Sequence, residues 1–194
     1  MQQSFALIDR EIGEHSFSHA EYAIVRRVIH TTADFEYKNL IEFSADAIAS
    51  GIDALQRRVP IVTDVSMVKQ GIAGLVAKTF DNPLISAVEH AKSALPGKTR
   101  TETGLLECCK QFPEAIYVIG NAPTALLALS AQLLNSSVTP ALVIGAPVGF
   151  ISVIESKAAL AQTPVAQIRV TGRKGGSPVA AAIVNALIML AVQG

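Results

Sequence analysis

Apolar positions along this chain fall into two kinds of run: some recur every three or four residues, others are short, unbroken and rich in β-branched side chains. The first kind predicts amphipathic helices and the second predicts strands buried on both faces. Phe5, Ile8 and Ile12 stand at helical spacing, so a short helix is expected over 5–12, stopped by Gly13. Ser18-His19-Ala20-Glu21 has the S-x-x-E form of a capping box and leads into a helix over 22–29, with Ile24, Val25 and Val28 on one face. His30 falls in the last turn of that helix, and the hydroxyl-rich run from His30 to Asp34 predicts a loop. Ile41, Phe43, Ala47, Ile48, Ile52 and Leu55 are largely at helical spacing, which predicts one long helix over 40–56. Gly51 weakens it by about 1 kcal/mol without stopping it.

A first buried strand is expected over 59–65, ending at Asp64, with a return helix over 67–77. Residues 84–88 are too short a run to separate strand from helix start. Pro96-Gly97 marks a turn before a helix over 102–111. Beyond it, strands at 116–119, 141–144 and 167–171 alternate with helices at 124–134, 152–161 and 178–192. That alternation is the mark of βαβ units. The expected fold class is therefore α/β: a single domain over 1–194, with a mostly parallel sheet flanked by helices in three Rossmann-like layers. Gly120, Gly145 and Gly172 each end a strand, 25 and 27 residues apart. In such a sheet these turns share the carboxyl edge of the strands, where helix N-termini and free N–H groups favour an anionic ligand. Residues 115–154 run for forty positions without an acidic, basic or histidine residue, and they are expected to form the scaffold beneath that edge.

Composition narrows the partners. The chain has 194 residues with 16 basic and 16 acidic side chains, so no bulk field draws it to nucleic acid or to an anionic membrane. Hydrophobic residues make up 50% and mean hydropathy is +0.39, yet no run suits a membrane span. Residues 125–134 are bounded by Pro123 and by Asn135-Ser136-Ser137, and 179–192 are interrupted by Asn185, short of the roughly 18 unbroken apolar residues a spanning helix needs. Met1-Gln2-Gln3-Ser4 lacks the order of a signal peptide, so a cytoplasmic location is expected. The adjacent Cys108 and Cys109 close no useful loop and read as small core or helix-surface residues. His15, His19 and His90 lack metal-ligand spacing and read as solvated surface groups. Neither a metal nor a cofactor is expected.

No G-x-x-x-x-G-K-[ST] loop occurs, nor a G-x-G-x-x-G after a strand with an acid about 20 residues on. What does occur is Gly172-Arg173-Lys174-Gly175-Gly176-Ser177, a glycine-rich turn with two cations before a helix that has Pro178 near its start. After Glu155 the chain has no acidic residue, while Lys157, Arg169, Arg173 and Lys174 add positive charge. Helix dipoles add about 0.3–1 kcal/mol each for an anion at this edge, and Arg100 adds a cation from another turn. A multiply anionic small molecule fits this pattern better than a single phosphate.

Five motifs, taken in order, resemble those of the precorrin-8X methylmutase (cobalt-precorrin-8 methylmutase) family over nearly the whole chain. They are His30-Thr31-Thr32-Ala33-Asp34; Thr99-Arg100; Gly120-Asn121-Ala122-Pro123-Thr124-Ala125-Leu126; Pro147-Val148-Gly149-Phe150 with Glu155-Ser156-Lys157; and Gly172 to Ser177. The resemblance implies an isomerase of cobalamin biosynthesis that moves a methyl group from carbon 11 to carbon 12 of precorrin-8X or cobalt-precorrin-8. The products are hydrogenobyrinate or cobyrinate, and no external methyl donor is used. It implies a homodimer with the active site near the subunit interface, and a substrate carrying many acetate and propionate groups. His30 matches the family's catalytic histidine, with the role of general acid; a helix C-terminus favours the imidazolium that such an acid needs. Arg100, Arg173 and Lys174 are assigned to carboxylate binding, and Asn121, Thr124 and Ser177 to hydrogen bonds from the turns. Read as residues alone, Asn121 or Thr124 serve equally as helix caps and His30 as a cap or core group. Thr101-Glu102-Thr103-Gly104 departs from the alanine-rich run expected after Arg100. Two other classes compete: a carrier that binds a corrinoid intermediate without turning it over, and a nucleotide-binding oxidoreductase on a similar sheet.

Overall fold

A computed structural model describes residues 2–135 and 138–193; Met1 of the N-terminal run and Ser136-Ser137 of the polar stop lie outside the described residues. In chain order the first elements are α1 (Gln2–Glu11), α2 (His19–Thr32), α3 (Tyr37–Leu40), β1 (Ile41–Phe43), α4 (Ala47–Gln56), β2 (Ile61–Thr63), α5 (Ser66–Val76) and β3 (Leu84–Ser86). They continue with α6 (Ala87–His90), α7 (Arg100–Gln111), β4 (Ile116–Ile119), α8 (Pro123–Leu134), β5 (Leu142–Gly145), α9 (Val153–Ala161), β6 (Gln167–Val170) and α10 (Ser177–Gln193). The strands form one six-stranded sheet in the order β1-β6-β5-β4-β2-β3, parallel throughout except for β1, which runs antiparallel to β6.

The unbroken apolar runs work as two-faced strands. In β4, Ile116 and Val118 join a hydrophobic cluster with α2, α4, α5 and α10, while Tyr117 and Ile119 join a second cluster with α7 and α8. In β5, Leu142 and Ile144 face the first cluster and Val143 the second. Side chains alternate across a strand, so an apolar residue at every position builds a core on both faces. Cys108 and Cys109 belong to the second cluster, where burial pushes their thiols up to about 12 and about 11. The most buried helix is α10, whose Ala180 and Ala181 allow other backbones to approach closely. A Cβ built on Gly120 would stand 2.9 Å from Ala180 Cβ, and one on Gly71 would stand 2.9 Å from Ala181 Cβ. Among the described residues no helix is long and apolar enough to cross a membrane.

Two expectations change, and one open alternative is resolved. The helix expected over 40–56 is instead α3, β1 and α4: Ile41, Glu42 and Phe43 pair with Val170, Arg169 and Ile168. Ser44 N–H then donates to Gln167 O (2.9 Å), and Gln167 N–H to Ser44 Oγ (2.8 Å). A run of three residues satisfies either period, and the free edge of β6 decides between them. The loop expected from His30 is helix through Thr32, because Thr31 and Thr32 hydroxyls turn inward onto Arg27 O and Val28 O, both at 2.9 Å. Ala33, at φ 54°, ends it with an N–H bond to Ile29 O. Residues 84–88 are both alternatives in succession, β3 and then α6. Among the other histidines, His15 is exposed, as expected, and its ring stacks on Tyr22 (centroids 4.6 Å apart, 17° between planes).

Candidate active site at the carboxyl edge of the sheet

Because β1 runs antiparallel, the chain enters it from the carboxyl edge of β6, and the end of α2 must lie at that edge too. Thr171 N–H donates to Leu40 O at 2.8 Å, joining α3 to the end of β6. Lys174 Nζ then donates to both Asp34 and Glu36, and the neighbouring Tyr37 is 4% exposed. The segment carrying His30 is thereby locked against the glycine-rich turn, 140 positions along the chain from Asp34 to Lys174. His30 itself is half-buried, with its ring edge-on to Phe5 (centroids 5.2 Å, 78° between planes). It lines a cavity of about 290 Å³ with Ser4, Leu7, Glu11, Ala33 and Phe35.

The turn after β6 is built on the turn after β5. Gly176 N–H donates to Ala146 O at 2.8 Å, and a Cβ on Gly175 (φ +154°) would stand 2.4 Å from Ala146 O. Only glycine has both the conformation and the clearance. Lys157, 3% exposed, reaches beneath the turn and donates to Gly172 O (2.8 Å) and Lys174 O (2.7 Å). Desolvation pushes its pKa down from 10.5 to about 8. Its unfolded chain therefore binds more proton than the folded one between those values, so this site adds stability as pH rises from about 8 towards 10.5. Lys157→Met should flatten that rise, read as the difference in urea-unfolding free energy between about pH 8 and about pH 10.

Two strands away, about 10 Å across the sheet, a second group of expected residues gathers. Thr99 caps α7 by accepting from Glu102 N–H (3.1 Å), and its hydroxyl meets that of Thr124 at 3.2 Å. Arg100 follows it, exposed, with Nε donating to Ala91 O at 3.0 Å. Asn121 and Thr124 are both exposed, and neither side chain caps α8. The capping carboxylate is Asp64, fully buried at the end of β2. It accepts from the N–H groups of Gly120 (3.0 Å), Asn121 (2.7 Å), Ala122 (2.8 Å) and Val65 (2.9 Å). Burial pushes its carboxyl pKa up, and these four donors oppose the shift. Ser177, 7% exposed, opens α10 behind this turn, its Cα 3.0 Å from where a Gly120 Cβ would stand.

With this geometry in place, the precorrin-8X methylmutase family profile matches residues 1–190. The chain belongs to the precorrin-8X methylmutase family. A cobalt-precorrin-8 methylmutase of Synechocystis sp. is 58% identical over 203 aligned positions, covering 97% of this chain and 94% of that protein. One of Leptospira interrogans is 39% identical, covering 97% and 91%. The crystal structure of the precorrin-8x methyl mutase of Thermus thermophilus superposes with a TM-score of 0.93 at 41% identity, over 100% of this chain and 95% of its own. Family membership makes the chain an isomerase of corrin-ring biosynthesis and sets the carrier reading aside.

The charges at this edge differ from what the sequence led one to expect. Of the four cations after Glu155, Lys157 is buried beneath the turn, Arg169 pairs with Glu42, and Lys174 is held by Asp34 and Glu36. Lys174 is thus a brace rather than the free point charge expected for a ligand carboxylate. The neutralising acids all come from residues 34–42, which β1 carries to this edge. Arg173 remains exposed and has no acidic partner among the described residues. Sequence reasoning noted Asp64 only as a strand end. An acid closing a buried β-branched strand is itself a signal, since such a group is seldom fully buried without partners.

Proposed function

We propose that this edge carries out the methyl shift from carbon 11 to carbon 12 of precorrin-8X or cobalt-precorrin-8, with His30 as the general acid. Substrate and product are isomers, so the carbon 11–methyl bond breaks as the carbon 12–methyl bond forms and no donor, oxidant or reductant is consumed. His30 lends a proton to the macrocycle as its π-electrons redistribute and recovers it at the end. The observation that carries this reading is the Lys174–Asp34 contact, which holds the end of α2 beside the glycine-rich turn at the ligand edge of the sheet. Arg173 and Arg100, on opposite sides of the edge, take peripheral carboxylates, with Asn121 and Thr124 donating hydrogen bonds beside Arg100. Ser177 donates from the start of α10, and Lys174 contributes by fixing the turn.

In this reading the whole of residues 1–194 acts as one methylmutase domain in the cytoplasm. It works as a homodimer with the site near the subunit contact. The outer face of α5 supports that arrangement: Ser66, Met67, Gln70 and Gly71 are exposed and uncharged, Met67 by 67%, and the helix starts at the same edge. Incubation with precorrin-8X, and separately with its cobalt form, should convert one or both, followed by the visible spectrum. Binding without conversion at any pH would instead leave the protein as a carrier. Light scattering should give twice the chain mass.

A further inference from the structure

The loop from Pro147 to Ser152 joins β5 to α9 and ends the uncharged stretch, yet it does not bury its large side chains. Phe150 is 86% and Ile151 84% exposed, with Val148 (43%) and Ile154 (49%) beside them. Contiguous apolar exposure of this kind marks a surface that something covers. The loop is also held in place. Gly149 N–H donates to Arg173 O (3.4 Å), Gly149 has φ +151°, and Ser152 begins α9 at φ 57°, a left-handed conformation that non-glycine residues seldom adopt. A backbone this constrained, tied to the glycine-rich turn, presents Phe150 and Ile151 rather than letting them fold inward.

Two features say what covers them. The patch is continuous with the candidate active site: Ala146 and Arg173 carbonyls bind it to the turn whose other flank holds the His30 segment. Beside Phe150 stands Arg173, whose guanidinium carbon lies 5.9 Å from the ring centre and which has no ion-pair partner among the described residues. An exposed aromatic and aliphatic surface beside a guanidinium complements an apolar macrocycle edged by carboxylates.

We propose that Phe150 and Ile151 form the platform on which one face of the corrinoid macrocycle rests, and that Arg173 beside Phe150 takes one of its peripheral carboxylates. The loop after β5 then sets affinity and selectivity for a polycarboxylate macrocycle while the acid acts from the opposite flank. This inference rests on the methyl-shift reading of the same edge. The test is an absorbance titration of hydrogenobyrinate, the rearranged product, into the wild-type protein and into Phe150→Ala/Ile151→Ser, with light scattering on both. The double variant should bind about 10–100-fold more weakly at unchanged oligomeric mass, on the scale of a lost aromatic anchor. Phe150→Tyr should retain affinity, and Arg173→Gln should flatten its salt dependence. Equal binding by wild type and double variant overturns the platform alone, leaving the function standing. Lost binding accompanied by a halved mass assigns the patch to contact between copies and also overturns it. Wild type that neither binds nor converts any corrinoid removes the underlying reading and the platform with it.

Discussion

His30→Ala is expected to bind product within a few-fold of wild type and to rearrange substrate about 100–10,000-fold more slowly, the usual worth of a positioned general acid. That range corresponds to about 3–5 kcal/mol of transition-state stabilisation. The split between turnover and affinity follows from where the side chain sits. Its neighbours are Phe5 and a cavity walled by α1 and the end of α2, whereas Arg100 and Arg173 stand on other elements. Removing the imidazole leaves the carboxylate contacts in place. His30→Gln serves as the second variant, keeping much of the volume against Phe5 while removing the titrating ring. Single-turnover conversion by either protein at near wild-type rate would exclude His30 from the chemistry.

Asp64→Ala should be the most damaging substitution for stability, at about 3–5 kcal/mol, because it strips acceptors from several buried backbone donors at once. Gly120, Asn121 and Ala122 form the entry to α8, whose own N-cap makes no side-chain bond, so no local group replaces the carboxylate. For a chain of this size the melting temperature should fall by about 6–20 °C. Asp64→Asn tests the charge and the hydrogen-bond sense together. It can keep an oxygen for Gly120 but turns an amide NH₂ towards the Asn121 and Ala122 donors, so it should cost nearly as much. An Asn variant as stable as wild type, by urea unfolding, would show that the turn is held by packing rather than by the carboxylate. Because Asn121 and Thr124 ride on this turn, a partly folded Asp64 variant should also lose product affinity through them.

Most of the sheet was legible along the chain because its central strands are unusually unambiguous. An unbroken β-branched run such as Ile116-Tyr117-Val118-Ile119, followed by glycine and a helix, has few other stable arrangements. The glycines were legible as strand ends, though for different reasons. Gly172 supplies φ +68°, while Gly120 and Gly145 supply clearance, a Cβ on Gly145 standing 2.6 Å from Leu160 Cδ2. The motifs around His30, Arg100, Asn121 and Gly172 all carry the family resemblance, and the structure brings each of them to the one edge.

What remained hidden were the relations that span the chain. Local spacing placed β1 in a helix, since Ile41 and Phe43 fit either period and the partner that selects the strand lies on β6, with Glu42 meeting Arg169 across 127 positions. That one pairing carried the acids Asp34, Glu36 and Glu42 onto Lys174 and Arg169 and removed most of the positive field that a count of the C-terminal segment predicts. It also left Arg173 exposed beside Phe150. The uncharged stretch 115–154 divides in the same way: its strands are buried as their pattern requires, while Phe150 and Ile151, equally apolar, are exposed. Where an apolar pattern runs unbroken through a whole element, as in β4 or α10, it determines strand or helix by itself, because burying that face requires only one period. Which charges cancel, which carboxylate caps a distant helix and which apolar side chains stay uncovered depend on contacts between remote segments, and only the folded chain decides them.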